Sequence, residues 1–284
     1  MPATSKPFNI DKRLVYEAYK AVKSNRGAAG VDEQTIEQFE ADLSGNLYKI
    51  WNRMSSGSYF PPPVRAVPIP KKSGGERILG VPTVADRVAQ MVVKQVIEPI
   101  LEPIFLADSY GYRPNKSALD AVGATRARCW KYDWSTARTT IGQYPNVKFD
   151  FLGYCFRPRH VRRMRDNVLF GGFNPAVGSA ALNTMRASLR DLNLRRQTQL
   201  SLQDIARQLN PLLRGWIGYY GRYAPSALSP LLRYVNQTLV AWAQRKFKRF
   251  KGGATLAGQF IERLATERPD LFAHWRLGMT GTFV

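Results

Sequence analysis

Arginines and aromatic rings interleave through residues 214–223, RGWIGYYGRY, which offer Arg214, Trp216, Tyr219, Tyr220, Arg222 and Tyr223. Rings of this kind can stack on unpaired bases while guanidinium groups neutralise phosphates. Yet Trp216, Tyr219, Tyr220 and Tyr223 fall at i, i+3, i+4 and i+7, the spacing of a buried helical stripe, and core is the preferred reading for the rings. The charges read differently. Arg245, Lys246, Lys248, Arg249 and Lys251 crowd one expected helix end with no acid nearby, and the helix dipole accounts for one or two of them, not for all. A third basic group, Lys71, Lys72 and Arg77, brackets the turn signal KKSGG. Ammonium and guanidinium groups suit phosphate because they donate charge-assisted hydrogen bonds; an ordinary solvated turn is the equal alternative. Carboxylates are the scarce type. Between Asp120 and Lys148 the only one is Asp133, and the next is Asp150. Nucleotidyl transfer needs at least two acids to clamp a magnesium pair about 3.5–4 Å apart, and this stretch cannot supply them.

The wider composition agrees with a polyanionic partner. The 284 residues hold 42 Lys/Arg against 21 Asp/Glu, a formal net charge of +21, which points to nucleic acid. The second half, 143–284, carries 22 Lys/Arg against 7 Asp/Glu. From residue 205 to 261 there is no acid and there are nine Arg or Lys; a merely solvated face mixes both signs. No apolar run approaches the roughly 18 residues of a membrane helix, and MPATSKPFNI lacks the apolar core of a signal peptide, so a cytoplasmic protein without membrane partners is expected. Cys129, Cys155, His160 and His274 are isolated, which excludes a zinc site as an expectation and leaves the cysteines as buried thiols of a reducing compartment.

Hydrophobic periodicity places these groups on elements. Leu14, Val15, Ala18, Tyr19 and Val22 share one helical face, and Ile36, Phe39 and Leu43 another, with Asp32 as an expected N-cap between them. Pro61, Pro62 and Pro63 end helical structure, and a β-hairpin follows across KKSGG. Thr83 and Asp86 resemble a capping box opening a helix whose face is Val88, Val92, Val96 and Ile97, before Pro99; Ser117 with Asp120 opens another towards Trp130. Residues 135–142, STARTTIG, have no apolar period and read as a linker. Further on, Leu182, Met185, Leu189 and Leu192 make one core stripe; Leu228, Leu232, Val235, Leu239 and Trp242 make a second.

Three blocks then carry a family resemblance. PIPKKSGGERILGVPTVADRVAQ at 68–90, with EPILEPIF and SYGYRPNKSALDA, resembles the fingers region of the reverse transcriptases encoded by group II introns. FDFLGYCF at 149–156 resembles the strand near their primer grip, and LNPLLRGWIGYYGRY with LLRYVNQTLVAWAQRKFKR is similar to their maturase-specific thumb. The family's acidic strand and YADD turn are absent; Asp133 and Asp150 match neither catalytic position. The resemblance implies an α+β, mostly α-helical fold with a fingers-like lobe at 1–133, a junction at 134–146, a palm remnant at 147–173 and a thumb-like helical domain at 174–284. It places Lys71, Lys72 and Arg77 where the family approaches template and triphosphate, and matches Arg113 to a fingers arginine, for which capping of loop carbonyls stands beside binding.

The expectation is an RNA-binding maturase-like protein that holds group II intron RNA and assists splicing without copying it. Its nucleic-acid-binding residues would be Lys71, Lys72, Arg77, Arg113, Arg214, Arg222, Arg245, Lys246, Lys248, Arg249 and Lys251. No cofactor is expected: the full-length family implies magnesium, but its ligands are missing here. DNA stands as a second polyanion, and the oligomeric state is open. Two alternatives are kept: an RNA-directed DNA polymerase whose palm is missing from the sequence as given or supplied in trans, and a decaying fragment without function.

Overall fold

A computed structural model describes residues 6–71, 75–131, 148–162 and 169–279. The expected junction 134–146, and with it STARTTIG, Asp133 and Lys72, lies outside those residues. The described chain is mostly helical with two small antiparallel sheets, so the α+β expectation holds. It divides into two compact units, 1–109 and 110–284. No helix among the described residues is long and apolar enough to cross a membrane.

The N-terminal unit is built from α1 (Lys12–Asn25), α2 (Ile36–Ala41), α3 (Leu43–Ser56), the strands β1 (Arg65–Pro70) and β2 (Glu76–Val81), and α4 (Val84–Leu101). Asp11 caps α1 by accepting from the Arg13 amide at 2.8 Å. The cap of α2 is Thr35, in a reciprocal box with Gln38, and not Asp32. Asp32 closes a turn one step earlier, accepting from the Gln34 amide at 3.3 Å, because a box needs its acceptor three residues before the partner. Val15, Ala18, Tyr19, Val22, Phe39 and Ile50 form the core with Val84, Val88 and Val92. The β1–β2 hairpin is present, pairing Arg65 with Val81 through Pro70 with Glu76, and the Lys71 amide closes its turn on the Gly75 carbonyl at 2.8 Å.

Two details of α4 differ from the sequence reading. Only half of the capping box forms: Thr83 Oγ1 accepts from the Asp86 amide at 3.1 Å. The Asp86 carboxylate takes the Tyr59 hydroxyl at 3.2 Å and the Gln90 amide at 2.8 Å. The helix also runs past Pro99 to Leu101, and the Glu102 amide still reaches the Glu98 carbonyl; one proline removes one donor and leaves the later bonds available. Along the expected face, Val88 and Val92 are buried while Val96 and Ile97 are 47% and 41% exposed, followed by exposed Ile100, Ile104 and Leu106.

The C-terminal unit begins with α5 (Ala118–Lys131), opened by a reciprocal Ser117–Asp120 box. A three-stranded sheet follows, ordered β3 (Phe149–Phe151), β4 (Tyr154–Arg162) and β5 (Leu169–Val177). Helices α6 (Ser179–Asp191), α7 (Leu202–Tyr220), α8 (Ser229–Lys246) and α9 (Ala254–Glu267) complete it. Helix α5, grouped with the fingers-like region by sequence, packs here on β5: the Trp130 indole donates to the Phe173 carbonyl at 2.8 Å and the Arg126 Nε to Asn174 Oδ1 at 2.8 Å. The helical core is large. Met185 and Leu189 of the first expected stripe meet Leu228, Leu232, Val235, Leu239 and Trp242 of the second, together with Ile205, Leu209 and Leu213 of α7, which neither stripe included.

The β3–β4 hairpin shows why one glycine is required. Leu152 and Gly153 have φ of 51° and 79°, the signature of a two-residue type I′ turn. A Cβ on Gly153 would lie 2.5 Å from Tyr220 Oη. The turn is therefore fixed both by its backbone conformation and by the α7 ring above it.

Candidate nucleic-acid interface

The aromatic members of RGWIGYYGRY are used inside the fold. Tyr219, Tyr220 and Tyr223 surround Tyr154 with ring centroids 5.4, 5.2 and 6.0 Å away. The Tyr154 hydroxyl donates to the Tyr219 carbonyl, the Tyr219 hydroxyl to the Leu152 carbonyl at 3.0 Å, and the Tyr223 hydroxyl to the Leu119 carbonyl at 3.4 Å. Burial, reinforced by the neighbouring tyrosines, pushes the Tyr154 phenol up. These rings tie α7 to the sheet and to α5, while Trp216 packs against the helical core. The Tyr154, Tyr219 and Tyr223 hydroxyls are thus spent on backbone carbonyls.

The charges of the same segment face water. Arg214 is exposed on α7 and lines an open cleft of about 740 Å³ with Arg207, Asn210 and Arg268. That cleft is mixed in sign, since Glu267 and Asp270 also line it and Arg207 is paired to Asp204 at 2.7 Å. Arg222 is exposed beside the Tyr223 ring at 5.9 Å. Arg113 lies half-buried in the loop before α5, where its carbonyl accepts from the Lys116 amide at 3.4 Å.

The five cations at the end of α8 divide into two groups. Lys246 is the last helical residue, and its ammonium donates to the Thr198 and Leu200 carbonyls at 2.9 and 2.6 Å. It fastens the start of α7 to α8 and is half-buried. Arg245, Lys248, Arg249 and Lys251 are exposed, and none forms an ion pair among the described residues. The helix does not run through to Lys251 as the charge run suggests; Phe247 is extended and Lys248–Phe250 makes a 3-10 turn. In the other unit, Lys71 and Arg77 are exposed on the hairpin, with Arg77 across from Ile69.

Charge follows the structural division. Residues 1–109 carry 14 Lys/Arg against 12 Asp/Glu, and 110–284 carry 28 against 9, so the balance is +2 in one unit and +19 in the other. Sequence reasoning passed over part of this surface. Arg195 and Arg196 are exposed on a 3-10 turn packed against α8, with the Arg195 guanidinium 5.9 Å from the Tyr234 ring. Arg263 of α9 is exposed near Arg249. The LRRQ run signals the first pair; nothing local signals Arg263, which the fold brings in.

Asp150 sits on β3 opposite Cys155 and hydrogen-bonds its thiol, which burial first and this contact second push up. Among the described residues no group of three His, Cys, Asp or Glu could hold a metal ion. Asp133 lies outside them.

What the fold and charge define is a basic helical domain seated on a small sheet, and part of its sequence matches a known family. Residues 182–257, from α6 to the first turn of α9, match the group II intron maturase-specific domain. Protein YkfC of Escherichia coli is 31% identical over 156 residues, covering 54% of this chain and 41% of that protein. The group II intron-encoded protein LtrA of Lactococcus lactis is 31% identical over 137 residues, 47% of this chain and 22% of LtrA. The putative COX1/OXI3 intron 2 protein of Saccharomyces cerevisiae is 30% identical over 122 residues, 39% of this chain and 13% of its own length. This chain thus spans less than half the length of each of these relatives. The chain is therefore similar to group II intron-encoded proteins, and residues 182–257 match their maturase-specific domain.

Proposed function

We propose that the chain binds the structured RNA of a group II intron through its basic C-terminal unit and assists splicing without copying RNA. One observation carries the proposal. Arg245, Lys248, Arg249 and Lys251, exposed and without an ion pair among the described residues, stand within the stretch that matches the maturase-specific domain, and the sequence from 205 to 261 holds no acid. A folded intron packs phosphates together, and a one-signed cationic surface offsets that repulsion by displacing condensed counterions. Polymerase activity would require a clamp of at least two acids, and from Leu119 to Phe156 the sequence offers only Asp120, Asp133 and Asp150, well separated along the chain.

The test has two arms. Purified protein added to a group II intron precursor, at magnesium too low for the RNA to splice alone, is expected to restore splicing. Given primer–template, magnesium and deoxynucleotides, the same preparation is expected to extend nothing above a no-protein control. Failure to assist any intron, or extension that copurifies with the protein, would overturn the proposal.

A further inference from the structure

Just after α8 the chain builds a feature that phosphate neutralisation alone does not call for. Phe247, Phe250 and Phe260 cluster edge-on or tilted, with centroids 5.2–5.8 Å apart. The Arg249 guanidinium carbon lies 4.6 Å from the Phe250 centroid, 5.2 Å from Phe260 and 5.6 Å from Phe247. A cavity of about 360 Å³ opens there, lined by Arg249, Phe250, Leu256, Gln259, Phe260 and Arg263. Its floor is apolar, and Leu256 is 57% exposed at its wall. Lys248 and Lys251, next in the chain to the lining residues Arg249 and Phe250, are both exposed. Arg249 has no carboxylate partner among the described residues, and Arg263 meets Glu267 only at 3.9 Å.

A surface that merely meets phosphates is served by lysines in water. An arginine held against rings presents a planar, weakly hydrated group with one side covered, and such a plane stacks on a base. The space suits one nucleotide, not a duplex, whose bases are already stacked and paired. The larger cleft beside Arg214 lacks these properties, because Glu267 and Asp270 line it and would repel a phosphate.

We propose that this cavity takes one unpaired base of RNA, stacked against the Arg249 guanidinium and the Phe260 ring, with its neighbouring phosphates met by Lys248, Lys251 and Arg263. The proposal rests on the RNA-binding reading of the C-terminal unit and adds a single-strand subsite to it. Gln259 supplies both a donor and an acceptor at the rim, so it accommodates any base edge rather than selecting one.

The full chain is titrated with a short uridine oligomer carrying one 2-aminopurine, and separately with a fully paired RNA duplex of equal length. Wild type is expected to quench the 2-aminopurine fluorescence on binding. Arg249→Lys keeps the charge and removes the plane; Phe260→Leu keeps apolar packing and removes the ring. Each is expected to weaken single-strand binding about tenfold while duplex affinity changes less than about twofold, with unfolding midpoints measured alongside. Absence of quenching, or equal loss on single strand and duplex, overturns the base pocket and leaves RNA binding intact. Binding to neither RNA overturns the functional proposal and this subsite together.

Discussion

The Lys246 ammonium lies 2.6 Å from the Leu200 carbonyl oxygen and also holds the Thr198 carbonyl at 2.9 Å. A residue within a five-cation run is thereby committed to the fold, since its charge satisfies two acceptors just before the Ser201–Asp204 capping box of α7. Replacing Lys246 with Ala strands both carbonyls, and a loss of about 1–3 kcal/mol is expected. Lys248→Ala, two residues on and exposed, should change stability by no more than about 0.5 kcal/mol. Urea unfolding of the two variants distinguishes them; equal effects would mean that Lys246 is an ordinary surface charge.

Gly153 and Tyr220 offer a second check. A Cβ at Gly153 meets Tyr220 Oη at 2.5 Å, on a backbone with φ of 79°. Gly153→Ala is expected to cost about 1–3 kcal/mol through αL strain and this clash. Adding Tyr220→Phe removes the oxygen and should recover the steric part, so the double variant is less destabilised than the two single changes summed. Strict additivity in chemical denaturation would show that the ring and the turn are independent.

His274 should make stability fall in mild acid. It is fully buried, and its Nε2 meets Asn236 Oδ1 at 2.7 Å. That oxygen can only accept, and it also takes the Trp275 indole at 3.1 Å, so Nε2 carries the proton. Nδ1 is buried with no hydrogen-bond partner among the described residues. Phe272, Trp275 and Asn236 surround the ring, and burial holds its pKa down from the ordinary 6.5 to about 3. Below pH 6.5 the unfolded chain binds a proton that the folded ring refuses. Stability is therefore retained above that pH and lost as pH falls towards 3, with a slope of up to about 1.4 kcal/mol per pH unit from this group. His274→Gln is expected to flatten the dependence between pH 5 and 6.5, where carboxylates contribute less. An unchanged slope in that variant would contradict the assignment.

Much of the helical framework was legible because its signal is local. Leu228, Leu232, Val235, Leu239 and Trp242 step along one face, and all are buried. The hairpin could be read from prolines alternating with apolar residues and a glycine turn, and the register confirms it. Inward packing of the 216–223 rings, which end half-buried, was readable from spacing, but their partner Tyr154 was not, since that pairing joins residues 65 apart in sequence. The end of α8 was misjudged for a related reason. Charge alone cannot tell a lysine that solvates itself from one whose ammonium finds carbonyls 46 and 48 residues away. The face of α4 shows the converse: periodicity reports which side chains are apolar, and Val96 and Ile97 satisfy it while remaining uncovered. Arg263 joins Arg249 only through folding, so no local signal marks it.

The salt dependence of RNA affinity tests the central claim most directly. If the exposed cations of the C-terminal unit hold RNA, wild-type binding should weaken with salt at a log–log slope near −4 for about six neutralised phosphates, at roughly −0.7 each on single strands. Replacing Arg245, Lys248, Arg249 and Lys251 together with Gln, and leaving Lys246 in place to preserve the fold, should flatten that slope by about 2–3. The hairpin triple of Lys71, Lys72 and Arg77 to Gln should matter less, because it belongs to the unit whose charge is nearly balanced. A slope that stays put when the α8 exit is neutralised, or a larger change from the hairpin triple, would place the RNA on the N-terminal unit and contradict the account.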